Sequence, residues 1–289
     1  MRDQAERLRE KVQQTAAHGG RQTRLITVTS GKGGVGKSNV TLNFALGLVE
    51  TGQKVVVFDV DLGLANLDVL MGISARYHLL DILYKDVTLW EIMEKGPQGL
   101  EFIAGGSGFT QFLQLDEQKI GKLLDQLSLL QGYADTVLLD TGAGISKESM
   151  QFILCSDEVF LVTTPEPTAI TDAYAVIKMI HSRNPHTQIK LIINRSSSPR
   201  EAKHTADKLT MVAKKFLGMD VQTLGFVDDD PAVSLAVKQQ RPFLMAYPHS
   251  QAAKSIRSLV RAHLGGAVAG QTETGGLRSF LSKIRDMIR

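Results

Sequence analysis

The sequence predicts an α/β fold: a single doubly wound domain around a mainly parallel sheet, with an extension at each end. Three observations carry that expectation. From residue 24 onward, short runs rich in Val, Ile and Leu alternate with longer helical patterns. Most of those runs end at Asp, Thr, Gly or Asn, residues that turn the chain at a strand end. A glycine-rich loop with two lysines stands directly between the first run and the first helical pattern.

Taken in order, residues 1–23 form an N-terminal extension. Residues 1–16 read as a polar helix whose only large apolar residues are Leu8 and Val12, which is marginal alone. His18-Gly19-Gly20 reads as a joint after it. The domain proper spans 24–264. Its buried strands are expected over 25–29, 54–59, 100–104, 136–140, 158–163, 189–193 and 222–227, and its clearest helices over 36–50, 116–130, 171–183 and 198–216. Residues 265–276 (GGAVAGQTETGG) are small, polar and Gly-rich, as flexible linkers are. Residues 277–289 close the chain as an amphipathic helix, with Leu277, Phe280, Leu281, Ile284, Met287 and Ile288 on one stripe.

Composition narrows the partners. The 289 residues are 43% apolar, enough for a sizeable core, and the net charge of +3 is unevenly spread. Residues 1–24 carry six basic and three acidic side chains, and residues 275–289 four basic and one acidic, so the body between them is mildly acidic. An anionic partner therefore meets a tail before the body. Cys155 is the single cysteine, which excludes an internal disulfide and any cysteine-based metal site and suits a reducing cytoplasm. No apolar run approaches the ~20 residues that span a bilayer, and the charged start has no hydrophobic signal core. A soluble cytoplasmic protein is expected, with any membrane contact peripheral.

The chemistry concentrates in Gly31-Lys32-Gly33-Gly34-Val35-Gly36-Lys37-Ser38, which satisfies G-x-x-x-x-G-K-[ST] between a strand and a helix. In that context the backbone N–H groups of Gly33, Gly34, Val35 and Gly36, with the following helix N-terminus, close around phosphate oxygens. Lys37 reaches the β- and γ-phosphates, Ser38 offers its hydroxyl to Mg²⁺, and Asn39 follows as a further nucleotide contact. Asp59 and Asp140 end strands expected to be neighbours, where they can hold Mg²⁺ through water. The late strand reads Ile192-Ile193-Asn194-Arg195-Ser196, without the N-K-x-D that reads guanine, which favours ATP over GTP.

With its extra lysine, the loop resembles the deviant Walker A motif of the MinD/ParA family. Residues 57–68 resemble that family's D-x-D-x-G-x-x-N-x-D segment, and residues 137–144 its Walker B strand and switch loop. The likeness covers nearly all of 24–264. It implies an ATP-bridged homodimer in which Lys32 crosses the interface and supplies charge to the neighbouring site, as an arginine finger does elsewhere. It also gives Asp61 the attacking water and Asn194 the adenine edge, with the loop 227–231 over the ring. A plain strand-end cap is the other reading of Asn194. Ser38 replaces the usual threonine but keeps the hydroxyl, and Thr141-Gly142 stand where MinD tends to have Ser-Pro.

The choice within the family rests on the ends. Relatives that bridge Fe–S clusters need more cysteines than one. ParA-type DNA binding needs a dense basic surface, which the mildly acidic body lacks; Lys203-His204 and Lys214-Lys215 come nearest and read as solvated helix faces, so no specific nucleic acid is expected. The basic amphipathic C-terminus resembles MinD's membrane-targeting tail, with Leu277, Phe280, Leu281, Ile284 and Ile288 facing an anionic membrane surface in the ATP state. Docking on the protein's own surface is the alternative, and both hold if docking competes with lipid. Asp3-Gln4-Ala5-Glu6-Arg7-Leu8-Arg9 resembles the N-terminal extension of the FlhG (YlxH, FleN) family of flagellar-number ATPases, as does the segment 165–174. That resemblance implies stimulation of FlhF, an SRP-type GTPase, through Gln4 and Leu8, and contact with flagellar C-ring proteins. MinD-type placement of the division site is the runner-up.

Overall fold

Alternation of apolar residues fixes both faces of the sheet. In β1 (Arg24–Ser30) Ile26 and Val28 enter one core and Leu25 the other. In β2 (Val55–Val60) Val55 and Val57 oppose Val56 and Phe58 in the same way. All are buried, so helices must cover both faces, the usual condition of parallel strands. The computed structural model describes residues 22–61, 66–105, 116–267 and 276–288. Gln4 and Leu8 lie outside these, as do the side chains of Met287 and Ile288.

After β1 come α1 (Lys37–Glu50), β2, and the short helices α2 (Leu67–Met71), α3 (Asp81–Tyr84) and α4 (Leu89–Ile92). The chain continues through β3 (Glu94–Lys95), β4 (Glu101–Ala104), α5 (Glu117–Ser128), β5 (Thr136–Ala143), α6 (Lys147–Cys155) and β6 (Glu158–Thr163). It then forms α7 (Pro167–Arg183), β7 (Ile189–Ser196), α8 (Pro199–Leu217), β8 (Gln222–Asp228), α9 (Pro231–Lys238), α10 (Phe243–Ala246), α11 (Gln251–Ala267) and α12 (Leu277–Ile288). The sheet order is β3-β4-β2-β5-β1-β6-β7-β8. Every pairing is parallel except that of β3 with β4.

Helix α1 packs with α10 and α11 on one face, where Phe44 and Leu46 meet Leu244, Ile256 and Leu259. Helices α5, α6 and α12 cover β1, β2 and β5 on the other, and α7 and α8 cover β6 and β7 beside them. β1 lies between β5 and β6, where the order of strands reverses, so its carboxyl end opens the crevice in which such sheets take ligands.

One expectation needs correction. The linker does not begin at residue 265, because α11 runs through Ala267 and takes Gly265 and Gly266 into its last turn. The C-terminal helix takes the docked arrangement, one of the two readings its sequence left open. Leu277, Phe280, Leu281 and Ile284 are buried against α5, α6 and the sheet, and Phe280 stacks on Phe152 with ring centroids 6.1 Å apart. The same apolar stripe that suits lipid suits an apolar groove of the protein, since the hydrophobic effect has no directional preference.

Candidate nucleotide-binding site

The loop between β1 and α1 can close on itself because of its glycines. Gly36 caps α1 in the left-handed region at φ 88°, and Gly34 stands at φ 79°, positions that cost an L side chain about 1 kcal/mol or more. Lys37 enters the first turn of α1 and is buried, with its Nζ 2.9 Å from Asp140 Oδ1 and 3.3 Å from Ser38 Oγ. Asp140 Oδ1 also accepts from Thr41 Oγ1 at 2.7 Å. Asp140 Oδ2 is buried with no hydrogen-bond partner among the described residues.

Asp59 and Asp140 are opposed in the register of β2 and β5. Burial, and then the neighbouring Asp140 carboxylate, push Asp59 up to about 7, against three backbone N–H groups that hold its charged form. Those donors are Asp61 at 3.2 Å to Oδ1, and Asn66 and Leu67 at 3.0 and 3.2 Å to Oδ2. Lys37 thus pairs with Asp140, while Asp59 beside it is held by backbone N–H groups. The orphaned oxygen and the raised pKa both mark a place where one more cation would fit, and an all-oxygen set with Ser38 nearby suits Mg²⁺. Asp61 follows on the same loop, close enough to Gly142 that a Cβ there would lie 3.2 Å from its Oδ1. Residues 62–65 of the loop are outside the described set.

Beyond the P-loop opens a cleft of about 640 Å³ lined by Gly36, Asn39, Asn194, Arg195, Val227 and Asp228, among others. Asn194 is buried, and its Nδ2 donates to Val35 O at 2.7 Å, so it clasps the P-loop from the end of β7. The loop 227–231 forms the opposite wall. The structure therefore gathers Lys37, Ser38, Asp59, Asp61 and Asp140 at one end and Asn39 and Asn194 at the other. Lys32 points elsewhere: its Nζ donates to Glu166 Oε2 at 3.1 Å and Thr168 Oγ1 at 2.8 Å, at the start of α7.

Sequence reasoning missed Thr41 and Thr164, whose buried hydroxyl has no partner among the described residues although it lines the cleft. Thr41 was legible in one respect: it lies four residues after Lys37, on the same helix face. Arg195, at φ 55°, gave no such signal.

Comparison with known proteins places these features in a family. The family model ParA, described as NUBPL iron-transfer P-loop NTPase, matches residues 21–264. Antiactivator FleN of Pseudomonas aeruginosa is 36% identical over 237 residues, 82% of this chain and 85% of FleN. The flagellum site-determining protein YlxH of Helicobacter pylori is 35% identical over 271 residues, 91% of this chain and 90% of YlxH. Among solved structures, the septum site-determining protein MinD of Pyrococcus horikoshii complexed with Mg-ADP superposes with a TM-score of 0.68 at 28% identity. That match covers 86% of this chain and 98% of MinD.

Proposed function

The chain belongs to the ParA family of P-loop NTPases, and from that premise we propose that it is an ATPase controlling flagellar number or placement. In this reading its ATP state is a homodimer attached peripherally to the inner face of the cell membrane. The buried cluster of Lys37, Asp140 and Asp59 carries the enzymatic part. Lys37 holds its charge on Asp140 at 2.9 Å, ready to exchange that partner for β- and γ-phosphate oxygens. Ser38 would hold Mg²⁺ directly, and Asp59 and Asp140 through water. When bound, Mg²⁺ offsets the charge that develops on the transferred phosphoryl group. Asp61 orients the attacking water, and Lys32 of a second copy completes the site. Asn194 and the wall 227–231 take the adenine.

The flagellar part is supported by the likeness to FleN and YlxH and by the segment 3–9. In this proposal Gln4 and Leu8 contact an FlhF-type GTPase, and other surfaces meet C-ring proteins. Iron transfer, named in the family description, is set aside because the only thiol in the chain is a buried one. MinD-type placement of the division site is the second reading, favoured by the likeness to Pyrococcus horikoshii MinD.

Calorimetry tests the site. Lys37→Ala should abolish ATP binding, because the phosphates lose their main counter-charge. Asp61→Ala should bind ATP and stop hydrolysis. A Lys37→Ala protein that binds as tightly as wild type overturns the phosphate cradle. A peptide of residues 1–20 tests the flagellar part: it should accelerate GTP hydrolysis by an FlhF-type GTPase, and Gln4→Ala should lose the effect. An unchanged GTPase rate with both peptide and full-length chain transfers the assignment to the MinD-type reading.

A further inference from the structure

Asp140 takes two donors on a single oxygen. Oδ1 accepts from Lys37 Nζ at 2.9 Å and from Thr41 Oγ1 at 2.7 Å, while Oδ2 is buried without a partner among the described residues. Nucleotide acts differently on the two donors. In the reading above Lys37 leaves Asp140 for phosphate oxygens, and its flexible four-carbon stem permits that exchange. Thr41 has no such second partner to go to. Its side chain is 1% exposed, it stands one turn along α1 from Lys37, and it does not line the cleft.

Thr41 Oγ1 also lies 3.0 Å from Lys37 O, the back-bond that a helical hydroxyl makes to the carbonyl four residues before it. A hydroxyl has one proton to give, so it donates to Lys37 O or to Asp140 and not to both. The shorter contact and the charge of its acceptor favour Asp140, since a charge-assisted bond is the stronger kind. Where the oxygen sits does not depend on that choice. A β-branched side chain is stiff about its first torsion, and Thr41 stands on a helix of 14 residues that is buried over most of its length. The donor is therefore fixed with respect to the P-loop whether or not Lys37 is engaged.

We propose that Thr41 is a positioning residue of the metal site: its hydroxyl holds the Asp140 carboxylate in place when Lys37 goes over to phosphate. The proposal deepens the reading of Ser38, Asp59 and Asp140 as the Mg²⁺ site and rests on it. Asp140 is 0% exposed, and a buried charge that loses its partner is strongly destabilising. Once Lys37 has left, Thr41 is the one donor to Asp140 that remains among the described residues. A neutral donor suits the task. It steadies the carboxylate without cancelling the negative charge that a hard cation needs. Thr41 itself touches neither nucleotide nor metal and acts through Asp140.

Calorimetry on the full-length chain tests this, with ADP and then with a non-hydrolysable ATP analogue, each in Mg²⁺ and in EDTA. The wild type should bind both nucleotides more tightly in Mg²⁺. Thr41→Val keeps the shape and loses the donor, and should narrow that advantage about tenfold, the factor one hydrogen bond to a charged group is worth. Thr41→Ser keeps the hydroxyl and should keep the advantage. Affinity in EDTA should match wild type in both, because Lys37 and the P-loop backbone are intact. Electron paramagnetic resonance of Mn²⁺ titrated into the ADP complex reads the metal without turnover, and should show the same loss in Thr41→Val. Thr41→Ala removes the same donor with less bulk and decides the matter if Thr41→Val does not fold. A back-bond to Lys37 O alone would lower the melting temperature of Thr41→Val and leave the Mg²⁺ advantage whole, which overturns the proposal while the metal site stands. Loss of the advantage in Thr41→Ser overturns it too, by tracing the effect to packing. A wild type indifferent to Mg²⁺ overturns the metal site itself, and the proposal with it.

Discussion

Asp59 and Asp140 stand opposed at the carboxyl ends of β2 and β5 with one lysine, Lys37, paired to Asp140, and much of the candidate site follows from that imbalance of charge. The residues themselves were legible because a P-loop needs its glycines and lysine at fixed spacing and a strand end needs a turn residue. What the sequence did not disclose was the partner of Lys32, since Glu166 and Thr168 lie 134 and 136 positions away and meet it only in the fold. A second residue of this kind is His263, on α11, edge-on to Phe44 and Phe160 and 1% exposed. Burial, with Lys190 and Arg24 adding to it and Glu158 opposing, lowers its pKa from 6.5 to about 4. The unfolded chain therefore binds a proton that the folded chain refuses between these values, and stability falls as pH drops through that window. The loss amounts to roughly 3 kcal/mol when complete. Urea unfolding from about pH 7 to about pH 5 should show this slope in wild type and a flatter one in His263→Leu. Equal slopes would place the acid sensitivity elsewhere.

At the scale of elements, blocks of Val, Ile and Leu made seven strands readable, each found within three residues of its expected ends. The exception, β3, has two charged residues, Glu94 and Lys95, and no apolar pattern to betray it. Helix α6 was also hard to read, because its nine residues are short enough to pass for a buried apolar run. The C-terminal helix was legible as a helix but not in its place. Its groove is assembled from β1, β2, β5, α5 and α6, which no local window brings together. Phe280→Glu tests both partners of that stripe at once. It forfeits the ~2–3 kcal/mol of burying the ring and sets a charge against groove and lipid alike. The variant should expose Cys155 to thiol reagents in ADP and yet fail to sediment with anionic vesicles in ATP. Vesicle binding at the wild-type level would show that the apolar stripe is not the membrane contact.

On the scale of the whole molecule, Leu277 N donates to Thr23 O at 3.1 Å, so the start of α12 lies beside the amino end of β1, and the P-loop follows its carboxyl end. A dimer closed across the face that carries the P-loop would present two tails at once, and two weak anchors bind a surface far better than one through effective concentration. Two anchors then require that ATP close the dimer, and that closure turns on Lys32. Within one chain it pairs with Glu166 at 3.1 Å, with side chains 40% and 59% exposed. An exposed pair is worth about 1 kcal/mol at most, so Lys32 can exchange Glu166 for a phosphate of a second copy at little cost. Lys32→Ala should therefore keep ATP affinity within about threefold of wild type, since a surface pair is all it gives up. It should nevertheless remain monomeric in light scattering with the non-hydrolysable analogue and lose nucleotide-dependent vesicle binding. Glu166→Ala, which removes only the competing partner, should dimerise at least as well as wild type. A Lys32→Ala protein that dimerises normally in ATP would confine Lys32 to its own chain, and the neighbouring copy would then contribute no charge to the site.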